Sequence, residues 1–392
     1  MASHVPFVHT IEDCRQLRAH YLDSKIIRIS LEAAATVARH LPREERVGRW
    51  LDPGFDGYHK TVSGKKGSIP DYIRTFDTDN VMGNAELLRR PQIDAVRPVV
   101  DRALGACMKL APSWLTVPQL PVIDDTSRNQ LNCTLARATH DWKSRCEFRG
   151  LFVLPLIFTH KDQLKGRTQW GPKLEVVKKC YHEATANAVW VVDSTLDDKE
   201  WHDPFRKRFD ALIRFHQDLK DKLPPKTTVV AGPYWGMNLV LWARGLCDYP
   251  AVSLGSGYRY YLAGGFHQAG KVRVALPPLR RCAITAQPLR AWLERALQDL
   301  DPDDRAFKEF ANLRDRFDLL MNRDAARDQV AGSYKVWFDK IASVPAAGRA
   351  LALYQDLSSA YVLGKHLKSL PRSGQATLRP EKVAEHLMLS CL

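Results

Sequence analysis

Short, apolar, β-rich runs recur through most of this chain, and their texture constrains the fold more than any other feature. They are Lys25–Ile29, Val47–Leu51, Leu115–Leu120, Leu151–Phe158, Ala188–Val192, Thr227–Ala231, Ala251–Leu254 and Val272–Leu276. Many are near-continuous in Val, Ile, Leu and Ala rather than alternating. A strand covered on one face alternates; a continuous apolar run needs cover on both, as in a parallel sheet. Helical patterns lie between several of the runs. Pro172–Ala184 carries Leu174, Val176, Val177 and Cys180, and Asp203–Lys222 carries Phe205, Phe209, Leu212, Ile213, Phe215 and Leu219 opposite its charges. Asn238–Gly245 is a shorter apolar helix with a terminating glycine. Strands alternating with helices predict an α/β fold, and the strand count predicts a (β/α)8 TIM-barrel-like core over an open sheet. The interval from Asp52 to Leu115 exceeds a minimal strand–helix unit and holds two helices or an insertion.

From Pro288 the pattern changes to charged amphipathic helices punctuated by Pro302, Pro345, Pro371 and Pro380. This predicts a barrel domain over 1–287 and a helical C-terminal domain over 288–392.

Charge bears on partners. Lysine plus arginine number 58 and aspartate plus glutamate 44, a formal charge of +14. Such an excess favours a polyanion, and local clusters such as Lys65-Lys66, Arg206-Lys207-Arg208 and Arg280-Arg281 favour nucleic acid over a generic basic surface. The eight cysteines share no CxxC spacing, which argues against a zinc ribbon and for reduced thiols in a cytoplasm. The longest apolar stretch, Val229–Ala243, is interrupted and too short to span a bilayer, so no membrane association is expected.

In a barrel, reacting groups collect where strands end. The densest such segment is Trp50-Leu51-Asp52-Pro53-Gly54-Phe55-Asp56-Gly57-Tyr58-His59, where a strand exits into two acids, aromatic rings and an imidazole. Asp193 ends the run Val189–Val192; it is either a catalytic carboxylate or a helix cap. Asp52 and Asp193 are the candidate pair, with Asp56 in reserve, either as nucleophile and general acid or as Mg²⁺ ligands for phosphodiester hydrolysis. His160 and Gln119 stand at two further exits, as substrate contacts or as structural hydrogen-bonding groups. Tyr234 and Trp235 offer a ring wall or ordinary packing. Gly255-Ser256-Gly257-Tyr258-Arg259-Tyr260 joins two glycines, a cation and stacking faces, a pattern suited to a phosphate or nucleotide and also to a plain Gly-rich turn. Lys65, Lys66, Arg280 and Arg281 are candidate phosphate contacts. No Walker A, GxGxxG or HExxH pattern occurs, and no resident metal or cofactor is expected outside the Mg²⁺ reading.

Leu51-Asp52-Pro53-Gly54-Phe55, then Gly64-Lys65, then Ile69-Pro70-Asp71-Tyr72-Ile73, resembles a pattern of the tRNA-guanine transglycosylase family, including the enzymes that exchange guanine for a deazaguanine in DNA. The resemblance covers about a tenth of the chain. It implies a (β/α)8 barrel in which Asp52 acts as acid/base beside the exchanged base. The family's second aspartate attacks the sugar C1′; no motif matches it here, and Asp193 is assigned by location alone. Pro53 stands where the family has serine, and the cysteine-rich zinc motif of the bacterial tRNA enzymes is absent.

Three readings follow. The first is base exchange at a glycosidic bond in DNA or tRNA, with Tyr258 or Tyr260 stacking on an extruded base. The second is a metal-dependent nuclease or phosphoesterase on the same rim. The third is a non-catalytic nucleic-acid-binding subunit, with the apolar face of Ala347–Gly364 meeting a protein partner or a second copy.

Overall fold

The computed structural model describes residues 4–42, 47–58, 69–122, 126–196, 203–254, 260, 262, 272–371 and 377–392. Eight parallel strands close into a barrel: β1 (Val5–Val8), β2 (Ile26–Ser30), β3 (Gly48–Asp52), β4 (Trp114–Thr116), β5 (Leu151–Phe158), β6 (Ala188–Asp193), β7 (Thr228–Ala231) and β8 (Tyr249–Ser253). Closure runs through β1 and β8, where Val5 pairs with Ala251 and Phe7 with Ser253. The (β/α)8-type core expected from the apolar runs is therefore present.

Its membership differs from expectation in one place. The barrel takes Val5–Val8 as its first strand, and Arg273–Leu276 (β9) lies outside it, paired antiparallel with Arg281–Ile284 (β10). Val5-Pro6-Phe7-Val8 is four residues long, contains a proline and follows a polar start, so it carries no strand signal by itself. Pairing with β2 on one side and β8 on the other makes it a strand.

The helical layer follows the strands: α1 (Ile11–His20), α2 (Leu31–Val37), α3 (Ile93–Met108), α4 (Thr126–Arg145), α5 (Arg167–Glu183), α6 (Asp203–Lys222) and α7 (Met237–Ala243). Local chemistry sets their starts. Thr10 caps α1 reciprocally: its hydroxyl accepts from the Asp13 amide at 3.2 Å, and the Asp13 carboxylate accepts from the Thr10 amide at 2.9 Å. Ser30, the last residue of β2, caps α2.

The C-terminal region adds α8 (Gln287–Gln298), α9 (Arg305–Asp315), α10 (Arg323–Ala342), α11 (Arg349–His366) and α12 (Lys382–Ser390). Of these, α10 packs where the layer needs its eighth helix, between α1 and α7. The Tyr21 hydroxyl donates to the Ala331 carbonyl at 2.9 Å, the Tyr334 hydroxyl donates to the Asn238 side-chain oxygen at 2.6 Å, and the Trp242 and Phe338 rings lie 4.7 Å apart. The main apolar core consequently runs across residue 287 into Val330, Tyr334, Trp337, Leu353 and Leu387. A second, smaller core gathers Leu276, Leu279, Trp292, Phe310 and Phe317. Among the described residues no helix is long and apolar enough to cross a membrane.

Candidate functional site

The lumen is filled by large rings. Phe7 of β1, Trp50 of β3 and Trp190 of β6 meet edge to face at 5.4–5.8 Å between centroids. Pleating sends alternate residues of a strand to the same side. These contacts therefore assign Phe7, Arg28 (which lies over the same rings), Trp50 and Trp190 to the interior, and Asp52 with Trp50. Trp50 Nε1 donates to Thr116 at 2.8 Å and Trp190 Nε1 to the Gly232 carbonyl at 2.8 Å, so both indoles are fixed.

Arg28 is the centre of this arrangement. Its guanidinium carbon stands 4.5 Å from the Phe7 centroid and 4.5 Å from that of Trp190. It is paired with Asp52, two residues further along the neighbouring strand in register, where Ser30 faces Asp52. The two side chains are 1% and 4% exposed, so this is an ion pair inside the protein. Burial alone would lower the Arg28 pKa, but Asp52, Tyr260 and Asp56 outweigh it and raise it. Its Nε and Nη1 find no acceptor among the described residues.

The turn after β3 holds the second acid. The Gly54 amide donates to the Asp52 carboxylate at 3.0 Å, and the Tyr72 hydroxyl donates to the Gly54 carbonyl at 2.6 Å. Gly54 has φ +72°, and a Cβ there would lie 2.6 Å from the Tyr72 oxygen, so both backbone and space require glycine. A short 3₁₀ turn, Phe55–Tyr58, then presents Asp56 to Tyr260, whose hydroxyl donates to it at 2.9 Å. Tyr260 also lies 3.5 Å from the Arg28 Nη2, and its ring meets Trp190 at 5.0 Å. Burial first, then the neighbouring Asp56, pushes the Tyr260 phenol well above its ordinary value, so it remains a proton donor. Asp52, Asp56, Tyr260 and Arg28 thus form one buried group at the carboxyl end of the barrel.

Asp193 is placed differently. It has the pleat parity opposite to Trp190, facing the helical layer. Its carboxylate accepts from the Thr195 amide at 2.9 Å and hydroxyl at 2.8 Å, and pairs with Arg208 of α6. The Asp193 amide donates to the Tyr234 hydroxyl at 2.5 Å. Asp52 and Asp193 therefore take opposite sides of the sheet, and it is Asp56 that shares the lumen group with Asp52; a strand-end position does not say which side of the sheet its side chain takes.

The remaining expected residues are mostly engaged within the fold. Phe55 stacks on Phe76 at 5.5 Å, and the Tyr58 hydroxyl donates to Asp77 at 2.7 Å. The Gln119 amide donates to the Pro118 and Asn132 carbonyls at 3.0 and 2.8 Å. His160 is exposed and caps the turn Lys161–Leu164. Trp235 donates to the Arg280 carbonyl at 2.8 Å and packs on Tyr334 and Trp337. Arg280 forks onto Asp356 of α11 through two 2.7 Å bonds, and Arg281 donates to the Arg379 carbonyl at 2.9 Å. Both arginines therefore tie the β9–β10 hairpin to the C-terminal region, Arg280 to α11 and Arg281 to the segment before α12. His59, Lys65, Lys66, Gly255, Ser256, Gly257, Tyr258 and Arg259 lie outside the described residues. Among the described residues no cluster of three or more His, Cys, Asp or Glu is arranged to hold a metal.

Arg28 is the functional candidate that the strand-end reading passed over. A signal existed: a charge in the middle of Ile26-Ile27-Arg28-Ile29, since a buried polar group is more informative than a buried apolar one.

Neither a protein-family model nor a curated protein matches this chain.

Proposed function

We propose that this barrel is an enzyme that acts on nucleic acid by exchanging a base at a glycosidic bond. The observation that carries the reading is the buried group Arg28–Asp52–Asp56–Tyr260 at the carboxyl end of the strands. Base exchange asks for two things of a protein. One group must move a proton at the base, and a carboxylate must meet the positive charge that develops on the sugar. Two acids in unlike surroundings can divide that work. Asp52 lies against a guanidinium and Asp56 against a neutral phenol. In this reading Asp52 is the acid/base, as the resemblance implies, and Asp56 takes the sugar-facing role first assigned to Asp193, whose carboxylate is engaged by Arg208 and Thr195. Arg28 is a positioning residue that holds Asp52 toward the lumen. The formal charge of +14 supports a polyanionic substrate.

Incorporation of radiolabelled guanine into DNA and into tRNA tests the reading. The wild-type protein should exchange into one of them, and Asp52→Asn should lose at least ~10²-fold of that rate with its circular dichroism unchanged. Undiminished exchange in Asp52→Asn removes Asp52 from the mechanism. No exchange by the wild-type protein into either nucleic acid rejects the function.

A further inference from the structure

Two thiols outside the barrel lumen lie in contact with each other. Cys133 lies on α4 and Cys180 on α5, 47 residues apart in sequence, yet their sulfurs are 3.5 Å apart in the helical layer. Both are buried, at 6% and 2% exposure. Asn132, next to Cys133, accepts from the Leu120 amide at 2.8 Å and from the Gln119 side chain at 2.8 Å, which ties that turn of α4 to the end of the β4 strand loop. A small cleft of about 20 Å³, lined by Gln119, Leu120, Asn132, Leu154, Val177 and Cys180, reaches the pair from the Cys180 side. That volume admits roughly one water-sized molecule. The other buried cysteines are solitary: Cys14, Cys107, Cys247 and Cys391 have no sulfur neighbour among the described contacts.

We propose that Cys133 and Cys180 are a modification site, a dithiol that a small peroxide oxidises to a disulfide joining α4 to α5. The approach of the sulfurs already brings the reacting atoms together, and the cleft selects by size, admitting hydrogen peroxide and excluding a bulky disulfide such as oxidised glutathione. Cys133 is the attacking sulfur. The contact with the Cys180 thiol, with positive charge from Lys179 and Arg137, lowers its pKa despite burial, while that of Cys180 rises. The Cys133 thiolate attacks one peroxide oxygen, the O–O bond breaks, and the departing hydroxide takes up the proton that Cys133 gave up on ionising, as water, leaving a sulfenic acid. Cys180 then attacks the Cys133 sulfur; the S–S bond forms, the S–O bond breaks, and the hydroxyl leaves with the Cys180 proton as a second water. Two thiols are oxidised and one peroxide is reduced to two waters.

The test uses the full-length native protein. It is treated with hydrogen peroxide or with oxidised glutathione, alkylated, digested and mapped by mass spectrometry without reduction. Exposed Cys146 reports that oxidant was present. Peroxide should give a Cys133–Cys180 cross-linked peptide, two hydrogens lighter than the sum of its parts, reversed by dithiothreitol and accompanied by a rise of a few degrees in Tm. Glutathione disulfide should modify Cys146 and leave the pair reduced. Cys180→Ser should leave a Cys133 sulfenic acid, which dimedone labels once the protein is unfolded in urea in its presence. Oxidation of Cys146 by peroxide with no Cys133–Cys180 cross-link in the wild-type protein overturns the proposal, and this result needs no variant to fold.

Discussion

Asp52 ends β3 and Asp193 ends β6 of the same barrel, both are buried, and both pair with an arginine, yet they belong to different parts of the molecule. Asp52 shares the lumen with Trp50 and meets Arg28, which comes from the adjacent strand. Asp193 faces outward and meets Arg208, which comes from a helix. The lumen pair is enclosed by Phe7, Trp50, Trp190 and Tyr260. The outer pair sits at the edge of the helical layer, where Arg208 also reaches the exposed His160 carbonyl at 3.0 Å. The difference teaches that an acid at a strand end is read by its parity: one side of the sheet offers a shared interior, the other a local tie between strand and helix.

Removal of each arginine should separate the two cases. Arg28→Met leaves Asp52 inside the barrel without its cation and should cost about 3–5 kcal/mol in urea unfolding. Adding Asp52→Leu should restore much of that loss, because an apolar pair then replaces an ion pair of similar volume. If Arg28→Met were as stable as the wild-type protein, the lumen pair would not differ from a surface pair. Arg208→Met should cost less, about 1–3 kcal/mol, because the Asp193 carboxylate keeps its bonds from the Thr195 amide and hydroxyl. Guanine exchange should survive in Arg208→Met, and a parallel collapse of exchange with stability intact would return Asp193 to the mechanism. Tyr260→Phe is the mildest change. It removes the 2.9 Å bond to Asp56 while keeping the ring against Trp190, and should cost about 1 kcal/mol by thermal unfolding. A stability gain there would mean the phenol is not needed to satisfy the acid.

The fold was legible because seven of the eight barrel strands announce themselves by composition. Leu151–Phe158 and Ala188–Asp193 are apolar almost throughout, and only a sheet covered on both faces accommodates that. Val5–Val8 was not legible, since four residues with a proline become a strand only when two neighbours pair with them. Val272–Leu276 misled for the converse reason: an apolar run of that length suits a hairpin over a small core as well as a barrel. In the site, Asp52, Asp56 and Tyr260 were named from strand exits and turn chemistry, and they meet. Trp235 and Arg280 looked like substrate contacts because rings and cations near strand ends read the same whether they face solvent or a packed helix.

What the amino-acid order determined on its own was local: strands that need cover on both faces, caps such as Thr10 that start helices, and the glycine at residue 54 that lets a turn fold back on its carboxylate. The tertiary structure alone decided which charges meet. Arg28 and Tyr260 stand 232 residues apart, and a helix from beyond residue 287 fills the gap between α1 and α7. The reason is that periodicity specifies which face of an element seeks burial, whereas the identity of the partner on that face depends on closure of the ring, and no local window of sequence contains it.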